Sequence, residues 1–308
     1  MAGIVPDGAL VWGMQLPVQS QSRAFVQPWE HRSGPRELAR IAEAADRGGA
    51  FYVAVCDHVA IPRPHDDVMG AVWYDTVATL GWLAGRTEHV HLMSHVAVLP
   101  LRPAPVTAKA YATLDALSGG RVILGVGAGH LEEEFELLGQ DFAGRGDDLD
   151  RVIATVRTAF ATGEVRRSGT VARIEPMPSR PGGPPIWVGG SSARAMRRAV
   201  ELGDGWLPQG PPKMGMRAAI DEMREARRAT GAEPLDMGIQ VEPLRIGDAD
   251  FDLPPHTLVG EPDRIVERLR RYAVVGANHL QLRFAASGAD DLVEQIERFS
   301  TQVWPSVA

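Results

Sequence analysis

The chain has 308 residues, 44% hydrophobic and 23% charged, a composition ordinary for a globular protein with a sizeable core. Its formal net charge of -7 argues against a general nucleic-acid or membrane-surface binder. A single cysteine, Cys56, excludes an internal disulfide and a zinc-thiolate cluster, and it fits the cytoplasm.

The N-terminal stretch ALVWGMQLPV is apolar but lacks a basic flank and is cut by Gly13, Gln15 and Pro17. It reads as a strand over residues 11–16, not as a signal peptide. No apolar run reaches the roughly eighteen residues that span a bilayer. Residues 35–47 carry Leu38, Ile41, Ala42 and Ala45 on one helical face, with Gly48 and Gly49 as the stop. A second strand covers 51–55, and helical spacing returns over 73–85. A long apolar strand is expected over 89–99, and a helix over 103–117 with proline near its start and Ser118-Gly119-Gly120 after it.

Residues 121–129, RVILGVGAG, form a fourth strand that breaks into alternating glycines. From Asp147 onward Leu149, Val152, Ile153 and Val156 recur at helical intervals until Gly163. A small hairpin is expected over 165–174. Strands then alternate with helices at 186–188, 193–202, 205–207, 215–229, 237–246, 262–275, 279–284 and 290–299. Eight strands and eight helices in alternation predict an α/β fold, a (β/α)8 TIM barrel with insertions at its C-terminal mouth, in one domain over 1–308. A doubly wound sheet is the alternative. In such a barrel the chemistry lies at the C-terminal strand ends.

Those ends carry the candidate residues. The glycines Gly125, Gly127 and Gly129 suggest a dinucleotide fingerprint, but the third position of that pattern is His130, and an acidic, glycine-broken stretch follows instead of a helix. The second strand ends in Cys56-Asp57-His58. A histidine there titrates near neutrality and suits proton transfer, and the adjacent Asp57 is expected to fix its tautomer. His89 and His91 fall near the start of the third strand and are assigned to structure, whereas His95 lies toward the mouth. A metal-dependent hydrolase would need ligands converging from several strand ends and a His-x-His on the first strand, which is missing, so no metal is expected.

Gly189-Gly190-Ser191-Ser192 follows a strand and opens a helix, an arrangement that suits a phosphate; the alternative is that one serine merely caps the helix. The run Glu132-Glu133-Glu134 reads as a solvated or lid face. Arg102 and Arg283 are candidates for substrate or an anionic cofactor tail.

VAVLPLRPAPVTAKAYATLDALSGGRVILGVGAGHLEEEF, PIWVGGSSARAMRRAVELGDGW and VGEPDRIVERLRRYAVVGANHLQLRF, together with Cys56-Asp57-His58, resemble the luciferase-like monooxygenase superfamily of flavin and deazaflavin barrels. The Asp-His pair is most similar to its F420-dependent oxidoreductase branch. The resemblance implies a ring bound at the mouth, His58 beside it, a phosphate at Gly189 to Ser192, and a non-prolyl cis peptide at His95-Val96 behind it. It also places Gly127, Ala128 and Gly129 along the ring as a wall of backbone. Some sugar-phosphate dehydrogenases of that branch have a catalytic glutamate after the fourth-strand glycines, where this chain has His130.

The expected function is hydride exchange between coenzyme F420 and a small organic substrate, with His58 moving the proton, Asp57 orienting it and His130 as second candidate. The alternatives are an FMN-dependent monooxygenase and a non-catalytic flavin-binding barrel. Neither nucleic acid nor membrane is an expected partner, and a homodimer is.

Overall fold

The computed structural model describes residues 3–22 and 26–307. Eight parallel strands form the barrel: β1 (Val11–Gln15), β2 (Tyr52–Val55), β3 (His91–Ser94), β4 (Val122–Gly127), β5 (Ile186–Gly189), β6 (Gly205–Leu207), β7 (Asp236–Gln240) and β8 (His279–Leu282). Each pairs with its neighbours in sequence order, and the sheet closes where Val11 to Met14 pair with His279 to Leu282. Eight main helices follow the strands: α1 (Pro35–Arg47), α2 (Thr76–Ala84), α3 (Ala104–Ser118), α4 (Arg145–Thr162), α5 (Ala193–Leu202), α6 (Met216–Ala229), α7 (Pro262–Val275) and α8 (Ala289–Arg298). The architecture is the (β/α)8 barrel that the alternating pattern predicts.

Side chains on a strand alternate between its two faces, and the barrel sorts them accordingly. Trp12, Val53, Leu92, Val122, Leu124, Ile186 and Trp206 point outward into the layer shared with the helices. Leu38, Ile41, Ala42 and Ala45 of α1 and Leu149, Val152, Ile153 and Val156 of α4 meet them there, on the faces read from the sequence. Tyr52, Met93, Ile123, Trp187 and Leu207 point inward. Burying a large apolar side chain contributes about 1.5–3 kcal/mol, so the two layers together drive closure.

The interior is plugged by three rings. Trp187 stacks on His279 with centroids 4.2 Å apart, and Tyr52 stands edge-on to Trp187 at 5.5 Å. These rings need space on facing strands. A Cβ at Gly13 would come within 2.6 Å of the Tyr52 ring, and one at Gly205 within 2.5 Å of Trp187. At the base, Asp236 accepts the amides of Ile4 and Val5, and His91 Nδ1 lies 3.0 Å from the Phe51 carbonyl oxygen.

Two expected strands are shorter than the apolar runs that suggested them. The 89–99 run breaks after Ser94 and resumes as Ala97–Val98 alongside β4. The 237–246 run leaves the barrel at Gln240, and Leu244–Ile246 instead pairs with Leu258–Gly260. The hairpin near 165–174 is present as Glu164–Arg167 against Thr170–Arg173. Among the described residues no helix is long and apolar enough to cross a membrane.

Candidate active site

At the end of β2 the chain sends adjacent side chains in opposite directions. Asp57 is buried against the segments that open α2 and α3. Both its carboxylate oxygens are gripped by Arg102, at 2.7 Å each, while the Val98 amide and the Thr76 hydroxyl also donate to it at 2.8 and 3.2 Å. Asp57 therefore does not orient His58. It pins the segment after β3 to the end of β2 through the Val98 amide and the ion pair with Arg102.

The partner of His58 is Glu134. Its Oε2 lies 2.9 Å from His58 Nδ1, and its Oε1 accepts the Val59 and Ala60 amides at 2.7 and 3.2 Å. Glu134 belongs to a short helix, Glu132–Leu137, in which Glu134 and Phe135 face inward while Glu132 and Glu133 stay exposed. Burial pulls the Glu134 pKa up, but the bonds from His58, Ala60 and Val59 outweigh it, and the net direction is down. The solvated face expected of the acidic run thus holds for two of its three members. Glu133 carries the outer contact, 3.2 Å from His65 Nε2.

His58 is boxed by rings. Trp73 stands edge-on at 4.5 Å and His130 at 5.5 Å. His130 is on the rim, and partial desolvation, with His58 beside it, lowers its pKa. Two of the proposed catalytic residues, His58 and His130, are thus brought together.

The His95-Val96 peptide bond is cis, at the position implied by the resemblance. The His95 side chain is buried in the barrel, with Nδ1 3.2 Å from Gln281 Nε2 and Nε2 3.4 Å from the Leu207 carbonyl oxygen. Burial pushes its pKa down to about 4, so it is neutral. The glycines around it are approached closely by the chain itself. A Cβ at Gly127 would approach Val96 Cγ2 to 2.5 Å, one at Gly189 would approach Val96 Cγ1 to 2.6 Å, and one at Gly125 would overlap the Ser94 carbonyl. A Cβ at Gly129 would meet Val98 and Phe135. These glycines make room for the chain's own bulge at Val96 and for Phe135; Ala128 is half-buried between them.

Gly189 ends β5, Gly190 takes a φ of 93°, and Ser192 caps α5, its hydroxyl accepting the Ala195 amide at 3.2 Å. The capping alternative therefore holds for Ser192. Its hydroxyl still has a proton to donate, and the first-turn amides of a helix have no acceptor within it, so an anion at Ser191 and Ser192 would meet several donors. Arg283, after β8, is half-buried and lines a small cavity of about 60 Å³ with Gln15, Ser20, Gln27 and Glu30. Burial lowers its pKa, against the pull of Cys56 and Glu30. Among the described residues no three His, Cys, Asp or Glu side chains converge as metal ligands.

The sequence matches the model of the luciferase-like monooxygenase family over residues 17–245. The chain belongs to that family. An F420-dependent glucose-6-phosphate dehydrogenase of Beutenbergia cavernae is 30% identical to this luciferase-like chain, covering 88% of it and 93% of the relative. The coenzyme F420 dependent tetrahydromethanopterin reductase of Methanopyrus kandleri superposes with a TM-score of 0.76 at 17% identity, over 98% of this chain and 100% of that one. The oxygenating constituent of a Pseudomonas putida 3,6-diketocamphane monooxygenase, solved with FMN, superposes equally well at 16% identity, over 97% and 100%. At these identities the two structures speak for the fold alone.

An anion at the mouth would meet amide and hydroxyl donors at Ser191, Ser192 and the start of α5. The proton-active side chains beside each other at the mouth are His58 and His130.

Proposed function

We propose that this luciferase-like chain is an F420-dependent oxidoreductase acting on a small organic substrate. The observation that carries the reading is His58: a histidine held by a buried carboxylate at the end of β2, with a second histidine at the rim. The F420-dependent relative supports the choice of cofactor. When bound, F420 supplies a two-electron acceptor or donor of hydride. The protein's share is position and proton: residues at the start of α5 would hold the anionic tail, and the His95-Val96 bulge would back the ring. His58 takes the hydroxyl proton as an alcohol becomes a carbonyl, or returns it in the reverse direction. In this reading Gly127, Ala128 and Gly129 shape the wall only indirectly, by seating the Val96 bulge.

Equilibrium titrations with F420 and with FMN test the proposal. F420 binding at micromolar concentration with weaker FMN binding is expected; tight FMN binding without F420 affinity replaces it with the flavin monooxygenase reading. F420 binding with no hydride transfer across alcohols and carbonyls would favour a non-catalytic barrel.

We further infer a homodimer. Val106, Ala110, Thr113 and Leu117 lie at helical spacing along α3, and with Val77 and Gly81 of α2 they line an open apolar groove of about 550 Å³. Leu117 is 75% exposed and Val106 56%, in a face whose one charged member is Lys109. The paired helices of a second copy match this face, small residues at Gly81 and Ala110 receiving the larger ones at Val106 and Leu117.

A further inference from the structure

We propose that Glu134 is the positioning residue that keeps neutral His58 protonated on Nδ1, leaving Nε2 as the atom that takes the proton. That Nε2 meets a substrate rests on the oxidoreductase reading above; the tautomer does not.

The argument is one of donors and acceptors. Backbone amides only donate, so Glu134 Oε1, which faces the Val59 and Ala60 amides, is fixed as an acceptor. Oε2 faces His58 Nδ1 at 2.9 Å, and an ionised carboxylate has no proton to give. The hydrogen in that contact must therefore belong to Nδ1. A neutral imidazole carries one ring proton, so Nε2 is bare, and it has no hydrogen-bond partner among the described residues.

The groups around the ring agree with this assignment. Trp73 and His130 meet it edge-on and form no hydrogen bond to either nitrogen. Asp57, the neighbouring carboxylate, is neutralised by Arg102, and Glu133 is turned outward to His65. Glu134 is thus the charged group in contact with His58.

Replacing one atom should reverse the assignment. In Glu134→Gln the carbonyl oxygen is still claimed by the two amides, which turns the side-chain NH2 toward His58 Nδ1. A donor there demands a lone pair on Nδ1, so the imidazole proton moves to Nε2.

The test is long-range 1H-15N correlation NMR of the 15N-labelled protein without cofactor, at alkaline pH, with the His58 signals assigned by their loss in His58→Asn. In the wild type, Nδ1 is expected to resonate as a protonated nitrogen and Nε2 as a bare one; in Glu134→Gln the two shifts exchange. A wild-type spectrum with the proton on Nε2 overturns the proposal, even if the variant fails to fold. So does a folded Glu134→Gln protein whose His58 tautomer is unchanged, which would leave Glu134 as a tie for the loop alone. Failure of F420 to bind would remove the functional reading and leave this assignment standing.

Discussion

The guanidinium of Arg102 meets Asp57 fork to fork, with one 2.7 Å bond to each carboxylate oxygen, across 45 residues of sequence. Only 1% of the Asp57 side chain is exposed, so the pair cannot be opened cheaply. Arg102→Ala leaves that carboxylate buried and uncompensated and should cost about 3 kcal/mol. Urea unfolding followed by circular dichroism measures it, and Arg102→Lys should recover part, lacking the fork. Lost cofactor affinity with stability intact would restore Arg102 as a tail-binding residue.

His58→Ala should leave F420 affinity nearly unchanged while turnover slows by about a hundredfold. Comparing dissociation constants with single-turnover rates separates the two effects. Turnover at the wild-type rate would remove His58 from the chemistry and shift attention to His130.

Gly127→Ala places a methyl group 2.5 Å from Val96 Cγ2. Overpacking of this kind costs about 1–3 kcal/mol. Val96→Ala removes the colliding atom, so the double variant should regain much of the loss in thermal unfolding. Gly125→Ala should be worse and not rescued, because it overlaps the Ser94 carbonyl, and no side-chain change moves backbone.

Acid should weaken the barrel through its buried histidines. Burial holds His95 at about 4 and His279 at about 3, against 6.5 in the unfolded chain. The stability these neutral rings contribute is present above 6.5 and drains as pH falls toward the folded values, because the unfolded chain takes up protons that the fold refuses. Each ring contributes a slope of about 1.4 kcal/mol per pH unit within that window. Asp236, pushed up to about 6 by burial, acts in the opposite sense, since it is protonated in the fold when ionised in the unfolded chain. Comparing wild type with His279→Gln by urea unfolding between about pH 5 and 6 cancels the Asp236 contribution; the variant should show a slope smaller by about one proton.

Leu117→Glu puts a charge into the apolar α2–α3 groove. Sedimentation velocity should show a dimer for the wild type and a monomer for the variant, with the far-ultraviolet spectrum unchanged. A monomeric wild type would remove the dimer.

The barrel was legible because apolar runs of strand length alternate with stretches of helical spacing from end to end. Leu38, Ile41, Leu149 and Val152 are all buried where their spacing put them. Strand length was less legible: the polar pair Ser94-His95 falls at the break in the 89–99 run, but histidines also stand at 89 and 91, so polarity alone does not mark it. The partners of the site were least legible. Asp57 sits beside His58 in sequence, but consecutive residues at a strand end face apart, so neighbourhood in the chain misled. Glu134 was hidden among three glutamates in a helix of six residues, too short to display a period. Phe135 carried the one available signal, an apolar residue that is 0% exposed and draws Glu134 in with it.

The bond between Glu134 and His58 joins two loops that lie 76 residues apart in the chain. (β/α)8 barrels vary their chemistry largely through such loops, which makes them natural units for transplantation. Here the boundaries of a graft would have to respect that bond. A donor loop replacing residues 130–144 without a carboxylate at the position of Glu134 would import a new pocket and leave His58 without the group that holds it, and any poor turnover that followed would be mistaken for a poor substrate. Residues 57–60 and 134 should therefore travel together.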